Sequence, residues 1–408
     1  MRKPGEAGLA FGPAIATLPP CYGANGGVMG QGGWISGAVA ALIMAASPAA
    51  RAQDAETATI RTLPPDDGHR LYVTDFTQDH LVDSRATVVD GKTLRYLGNL
   101  PMGNFGSMNL SRDRARIFIA TTYYDRGSRG HRADIVEEYA ATTLGFTREV
   151  VLPSKRALAA SYTEYLQPSA HDRFLLVQNA TPASSVTIVD EASFKVLSEL
   201  PTAGCFGLYP DPSDDARFST LCGDGGIVTI TLDAAGHETA RAHIGKLFDP
   251  VADPVFITGG IWGGKLVLVS FQGVVHVIDL AGGTPRQTAV WSLIQSPAAQ
   301  AWRPGGYQLF SVHAASGQLF IGMHPHGFDG SHKAPSAEIW QADLASRKVT
   351  HRFALHGALA VTVSQDATPT LYTITYDGLL QAWGVGDKLV PKGKMRQAAE
   401  MPNALVLR

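Results

Sequence analysis

His324, His326 and His332 are the residues whose type best suits metal chemistry, because imidazole nitrogen is a common transition-metal ligand. They lie in a Gly- and Pro-rich stretch in which Asp329 is the sole carboxylate at a supporting spacing, and no cysteine joins them. A structured surface loop accounts for the stretch more simply, so no metal is expected. Residues 223–226 (GDGG) share their glycines with a phosphate loop but lack the lysine and the following helix that phosphate cradling needs. A hairpin turn after Cys222 is expected there. Asp211, Asp214 and Asp215 have a spacing that fits no calcium loop and read as a solvated turn. No G-x-S-x-G motif occurs. The residues by themselves show no catalytic set.

Partner binding is the chemistry that remains. Arg126, Arg129 and Arg132 surround Gly130 and His131, and Trp302, Arg303 and Tyr307 crowd one short segment. Arg and large aromatic side chains are enriched where proteins hold partners, which makes these six the candidate partner-facing residues. The alternative is that Trp302 and Tyr307 pack between sheets while the arginines face water.

The chain that must position them has 408 residues, 45% hydrophobic and 17% charged, with 43 Gly and 24 Pro. That balance favours many short strands joined by tight turns. A net charge of -2 without any basic run argues against nucleic acid as a partner. Arg2 and Lys3 precede an apolar run over 34–46, and Ala50-Arg51-Ala52 offers the small alternating residues that signal peptidase accepts. The reading is a signal peptide over 1–52, a flexible arm over 53–69, and export of the rest of the chain. At about 13 residues the run is short of the roughly 20 that span a bilayer, so no membrane insertion is expected after cleavage. About 30 residues precede the run, and either a long leading segment or a start codon placed too far upstream accounts for them. Cys205 and Cys222 are the two cysteines left in the exported part. In an oxidising compartment they most simply pair, worth about 3 kcal/mol by chain entropy; two buried free thiols are the alternative.

Past residue 60 one phrase recurs seven times: an apolar run, an acidic residue, a short polar turn and a second apolar run. The copies span 86–100, 134–152, 185–200, 226–244, 273–291, 336–355 and 378–395. With the turn residues Asp90, Ala140, Asp190, Asp233, Asp279, Asp343 and Asp387 as a ruler, the steps are about 50, 50, 43, 46, 64 and 44 residues. Such a period matches one four-stranded propeller blade. The long fifth step fits insertions at 292–306 and 324–335. A blade cannot bury both faces alone, so the blades must stack into a closed ring. The expected fold is all-β, a β-propeller over 70–408 with seven blades by this count, six or eight being the alternatives. The strand at 70–76 (RLYVTDF) is expected to complete the last blade.

Several stretches carry a resemblance to a known family. They are 121–139 (TTYYDRGSRGHRADIVEEY), 176–190 (LVQNATPASSVTIVD), 204–206 with 222–232 (CGDGGIVTITL), 302–307 (WRPGGY) and 323–340 (MHPHGFDGSHKAPSAEIW). They resemble the large (heavy) subunit of the tryptophan tryptophylquinone amine dehydrogenases. The closer look is to aromatic amine dehydrogenase, and methylamine dehydrogenase is more distant. The resemblance implies a seven-bladed propeller and a disulfide between Cys205 and Cys222. It implies no cofactor on this chain, the quinone being carried by a small subunit in a periplasmic α2β2 assembly. That assembly would oxidise primary amines to aldehyde and ammonia and pass electrons to a blue copper protein, azurin or amicyanin. In the family a Phe of the large subunit lines the amine channel. Aligned on Ser111 and Asp113 it falls on Asn104, with Phe105 one place later. A one-residue loop shift would put the Phe105 ring in the channel, and Phe105 is expected to gate it. The reading from a different class is a stand-alone secreted propeller that binds a ligand or protein.

Overall fold

A computed structural model describes residues 61–407, apart from 154, 155 and 159. The signal-peptide reading of 1–52 and the first part of the arm lie outside the described residues. Seven antiparallel sheets follow one another along the chain, and α-helix is absent among the described residues. The blades comprise 70–103 with Pro402–Val406, then 107–152, 166–201, 205–244, 260–292, 303–354 and 358–395. Each of the seven sequence copies is the third strand, turn and outer strand of one blade.

Burial explains the two kinds of apolar pattern. Second strands are covered on both faces, as in Lys265–Val269, where Leu266 through Val269 are at most 1% exposed. Outer strands are wet, as in Val390–Met395, which is exposed along nearly its whole length. Seven apolar clusters fill the seven gaps between neighbouring blades. Leu71, Val73 and Leu405 of the first blade, for example, meet Tyr372 and Ile374 of the last. Each fully buried Val, Leu or Ile contributes roughly 1.5–3 kcal/mol, so the ring is held by its gaps rather than by a central core.

The closure differs from expectation. Arg70–Asp75 does not complete the last blade, which has four strands of its own. It is the second strand of the first blade, and the C-terminal strand Pro402–Val406 fills the axis-side place beside it. The reason is burial: all six residues of Arg70–Asp75 are buried, which suits an interior strand and leaves the inner edge as the open place. Asp75 fastens the junction. Its carboxylate accepts the amides of Glu400 (2.6 Å), Met401 (3.0 Å) and Thr77 (2.9 Å).

Because strands alternate in direction, connections fall at two ends. Inner-to-second and third-to-outer turns share one end. Second-to-third turns and the links between blades share the other, called here the loop end. The 61–69 segment is bonded to the sheet beside it, with Leu63 N–H donating to the Thr142 carbonyl at 2.7 Å.

Candidate functional site

The candidate channel, partner-facing, disulfide and histidine residues all belong to loop-end connections or to the strand ends beside them, whereas Asp211, Asp214 and Asp215 lie in a turn at the other end. The link between the first two blades, 104–106, carries Asn104 and Phe105, both half-buried. Phe105 adopts φ +50°, a left-handed conformation rare for a bulky side chain. Its ring stacks on Phe76 with centroids 6.0 Å apart, and Phe76 meets Tyr307 edge-on at 6.1 Å. Three loops thereby bring together one aromatic row.

Tyr307 reaches that row because the inner strand of the sixth blade is broken. Arg303–Pro304 and Phe310–His313 pair with opposite ends of Gln318–His324. Between them Gly306 takes φ +123°, and a Cβ there would lie 2.5 Å from the Leu359 carbonyl oxygen. Only glycine fits, which gives the WRPGGY motif its physical meaning. Tyr307 N–H then donates to that same carbonyl at 2.7 Å.

Beneath Phe105 lies a buried arginine that sequence reasoning missed. Arg156 Nη1 donates to the Phe105 carbonyl at 3.1 Å and Nη2 to the Asn104 carbonyl at 2.8 Å. Its Nε and Nη2 also reach Thr122 Oγ1, at 3.2 and 3.1 Å, and Thr122 bonds Asp134. Burial pushes the Arg156 guanidinium down to about 10, opposed by the Asp134 charge, so it stays protonated at neutral pH. Nothing in its sequence neighbourhood marks it, because its main partners are backbone carbonyls about 50 residues away.

The six partner-facing candidates fall into four different surroundings. Arg126 and Arg129 are exposed at the tip of a turn. Arg132 is half-buried, paired with Asp134 at 2.9 Å and bonded to the Arg156 carbonyl at 3.1 Å. Trp302 packs on Trp340 at 5.5 Å, with the Arg352 guanidinium 4.6 Å and 4.5 Å over the two rings. Trp340 is 1% exposed and Trp302 half-buried, so the pair packs within the sixth blade. Arg303 and Tyr307 line a cavity of about 710 Å³, together with Phe256, Phe271, Phe328 and His332. A second cavity of about 380 Å³ follows the axis, and Tyr162 and Thr258 line both. Glu164 borders the axial one, where burial raises its pKa.

Of the three histidines, His324 is buried, His332 is half-buried and His326 is exposed. His324 Nδ1 lies 3.0 Å from the Pro325 carbonyl, and His332 sits near Phe256 and Phe271, where burial lowers its pKa. Among the described residues one cluster has metal-ligand geometry, Cys222, Asp224 and His243. Cys222, however, is bonded to Cys205 in a disulfide joining the inner two strands of the fourth blade. Residues 223–226 form the hairpin turn expected of them, and Asp211 and Asp214 pair with Arg217.

A model of the methylamine dehydrogenase heavy chain family matches residues 67–381, nearly the whole propeller. The chain belongs to this family. Its heavy-chain relatives include that of Methylophilus methylotrophus, 25% identical over 323 residues that cover 78% of each chain. That of Methylobacillus flagellatus is 26% identical over 371 residues, covering 85% of this chain and 90% of the relative. Among solved structures, a dihydro-heme d1 dehydrogenase superposes with TM-score 0.55 at 16% identity, covering 86% of this chain and 77% of the other. A putative 6-phosphogluconolactonase from Bacteroides fragilis gives 0.57 at 12%, covering 85% and 100%. Those two share the fold. Family membership makes the chain the large subunit of an amine dehydrogenase.

Proposed function

We propose that this subunit shapes the route by which a primary amine reaches a quinone carried by a small partner subunit, in a periplasmic α2β2 enzyme. The observation that carries the reading is the aromatic row Phe105–Phe76–Tyr307 on the loop end of a heavy-chain propeller. Tryptophan tryptophylquinone, bound to the partner, supplies the oxidation of the amine to aldehyde and ammonia. This chain's own groups position and exclude. The aromatic edges and faces give an organic ammonium ion an apolar wall with favourable electrostatics, and they keep water from the reacting centre. Three rings in a row suit an aromatic amine better than methylamine, because ring–ring contact adds area that a methyl group lacks. Electrons would leave singly to a blue copper protein, azurin or amicyanin.

The decisive experiment is co-expression with a short, Cys-rich exported chain that contains paired tryptophans. The expected result is co-purification with a quinone absorption band that bleaches on adding amine, and faster turnover of tyramine and phenethylamine than of methylamine. A stable monomer that captures no such chain would overturn the reading in favour of a stand-alone binding propeller. In the assembled enzyme, Phe105→Ala should change the ratio of kcat/KM for benzylic against short aliphatic amines by about tenfold, the scale of losing apolar complementarity in a pocket. An unchanged ratio would show that Phe105 does not gate.

A further inference from the structure

The Phe105 backbone is held at φ +50°, a conformation that bulky side chains rarely adopt, so neighbouring contacts must over-determine it. They do so from both sides. A Cβ on Gly106 would lie 2.3 Å from the Met102 carbonyl oxygen, so the loop has no slack toward its own strand. From below, the Arg156 fork spans two consecutive carbonyls, those of Asn104 and Phe105. The Asn104 amide adds a bond to the Thr122 carbonyl at 3.1 Å. The fork is fixed in turn by a closed circuit. Arg156 donates to Thr122, Thr122 to Asp134, and Arg132 pairs with Asp134 while its Nη2 returns to the Arg156 carbonyl at 3.1 Å. Arg156, Thr122 and Asp134 are 3%, 0% and 0% exposed, so water cannot substitute for a lost member.

Resting on the amine-route reading above, the geometry points to Arg156 as a positioning residue that fixes the Phe105 ring, and through it the amine selectivity of the assembled enzyme. The role needs a planar fork. A lysine offers one compact charge and cannot hold two carbonyls and a hydroxyl in fixed relative directions. Loss of the fork frees the loop to relax from its left-handed conformation, and the ring leaves its stack on Phe76.

The test is a double-mutant cycle on the α2β2 complex, using Arg156→Lys and Phe105→Ala, with the benzylamine to propylamine ratio of kcat/KM as the readout. Arg156→Lys should shift that ratio by about tenfold in the parent, toward the Phe105→Ala value, and leave it unchanged in the Phe105→Ala background. A merely structural role would alter the ratio equally in both backgrounds or in neither, and either result overturns the proposal. If the complex oxidises no amine, the functional reading fails, but the positioning claim is still decided on this chain alone. With 4-fluorophenylalanine placed at 105, the parent should give one sharp fluorine resonance and Arg156→Lys a broadened or split one. An identical resonance in the two proteins would refute it.

Discussion

At the loop end of the propeller three second-to-third turns repeat, each with a left-handed glycine (Gly225, Gly273, Gly378) whose amide donates three residues back, but the connections that carry the aromatic row all differ. At the turn end four of the third-to-outer turns have the same backbone. In the repeated turn the amide of the fifth residue donates to the carbonyl of the first. Leu94 bonds Asp90 (2.7 Å), Leu144 bonds Ala140 (2.8 Å), Phe194 bonds Asp190 (2.9 Å) and Arg347 bonds Asp343 (2.8 Å). All four fifth residues have φ between 52° and 60°. The closure and the aromatic row at the loop end instead depend on particular residues, namely Asp75 at the closure, Arg156 under Phe105, and Gly306 before Tyr307. Repetition can be solved locally and copied from blade to blade. A site has to be built once, from contacts distant in sequence.

The sharpest way to break this comparison is at the closure. Asp75→Ala removes the one acceptor shared by the amides of Glu400, Met401 and Thr77, at a junction where Asp75 and Thr77 are buried. Each such bond to a charged acceptor is worth about 1.5–3 kcal/mol, so a loss of at least about 3 kcal/mol is expected even after relaxation. A lowered urea midpoint, with Pro402–Val406 amides exchanging faster, would confirm it. A midpoint within experimental scatter of the parent would show that apolar packing alone closes the ring.

The turn end has one pH-sensitive exception. Glu191 follows Asp190, is fully buried, and pairs with Arg116 at 2.6 Å. Burial raises its pKa to about 8, with the nearby Asp172 charge adding to the effect and Arg116 opposing it. The folded state therefore holds this proton more tightly than the unfolded chain does. Its stabilisation is complete below the ordinary glutamate value and is lost as pH rises toward 8, by up to about 1.4 kcal/mol per pH unit. Glu191→Gln should flatten unfolding free energy against pH between about 4.5 and 8. An unchanged slope would mean that Arg116 keeps the carboxylate ionised throughout.

The two ends also differ in how readily the sequence discloses them. The seven turns were legible because a period near 50 residues and a recurrent Asp repeat a local pattern. Where the second copy has Ala140 instead, the Thr143 hydroxyl accepts the Gly145 amide at 3.2 Å and the turn survives. The closure was misassigned because an interior strand and an edge strand of the same length have the same alternation. Phe105 and Tyr307 were recognisable from motif resemblance. Phe76, Arg156 and Asp134 were not, since what selects them is the carbonyl or ring that folding brings beside them.

The smallest expected effect is at a repeated turn, and it measures how independent the copies are. Asp190 Oδ1 accepts the Ser193 amide at 2.7 Å, and Asp343 Oδ1 accepts the Ser346 amide at 2.6 Å, in the third and sixth blades. Both carboxylates are near the surface, so water replaces part of what alanine removes, and each Asp→Ala change should cost about 0.5–1 kcal/mol. The two turns share no partner, so the double variant should lose the sum to within about 0.5 kcal/mol. Asp190→Asn keeps the acceptor oxygen and should cost only a few tenths of that range, because the bond rather than the charge holds the turn. If Asn proved as damaging as Ala, charge would be the device instead. If the double loss greatly exceeded the sum, the blades would be coupled through their turns, and the turn end would no longer be a set of local solutions set against the one assembled site at the other end.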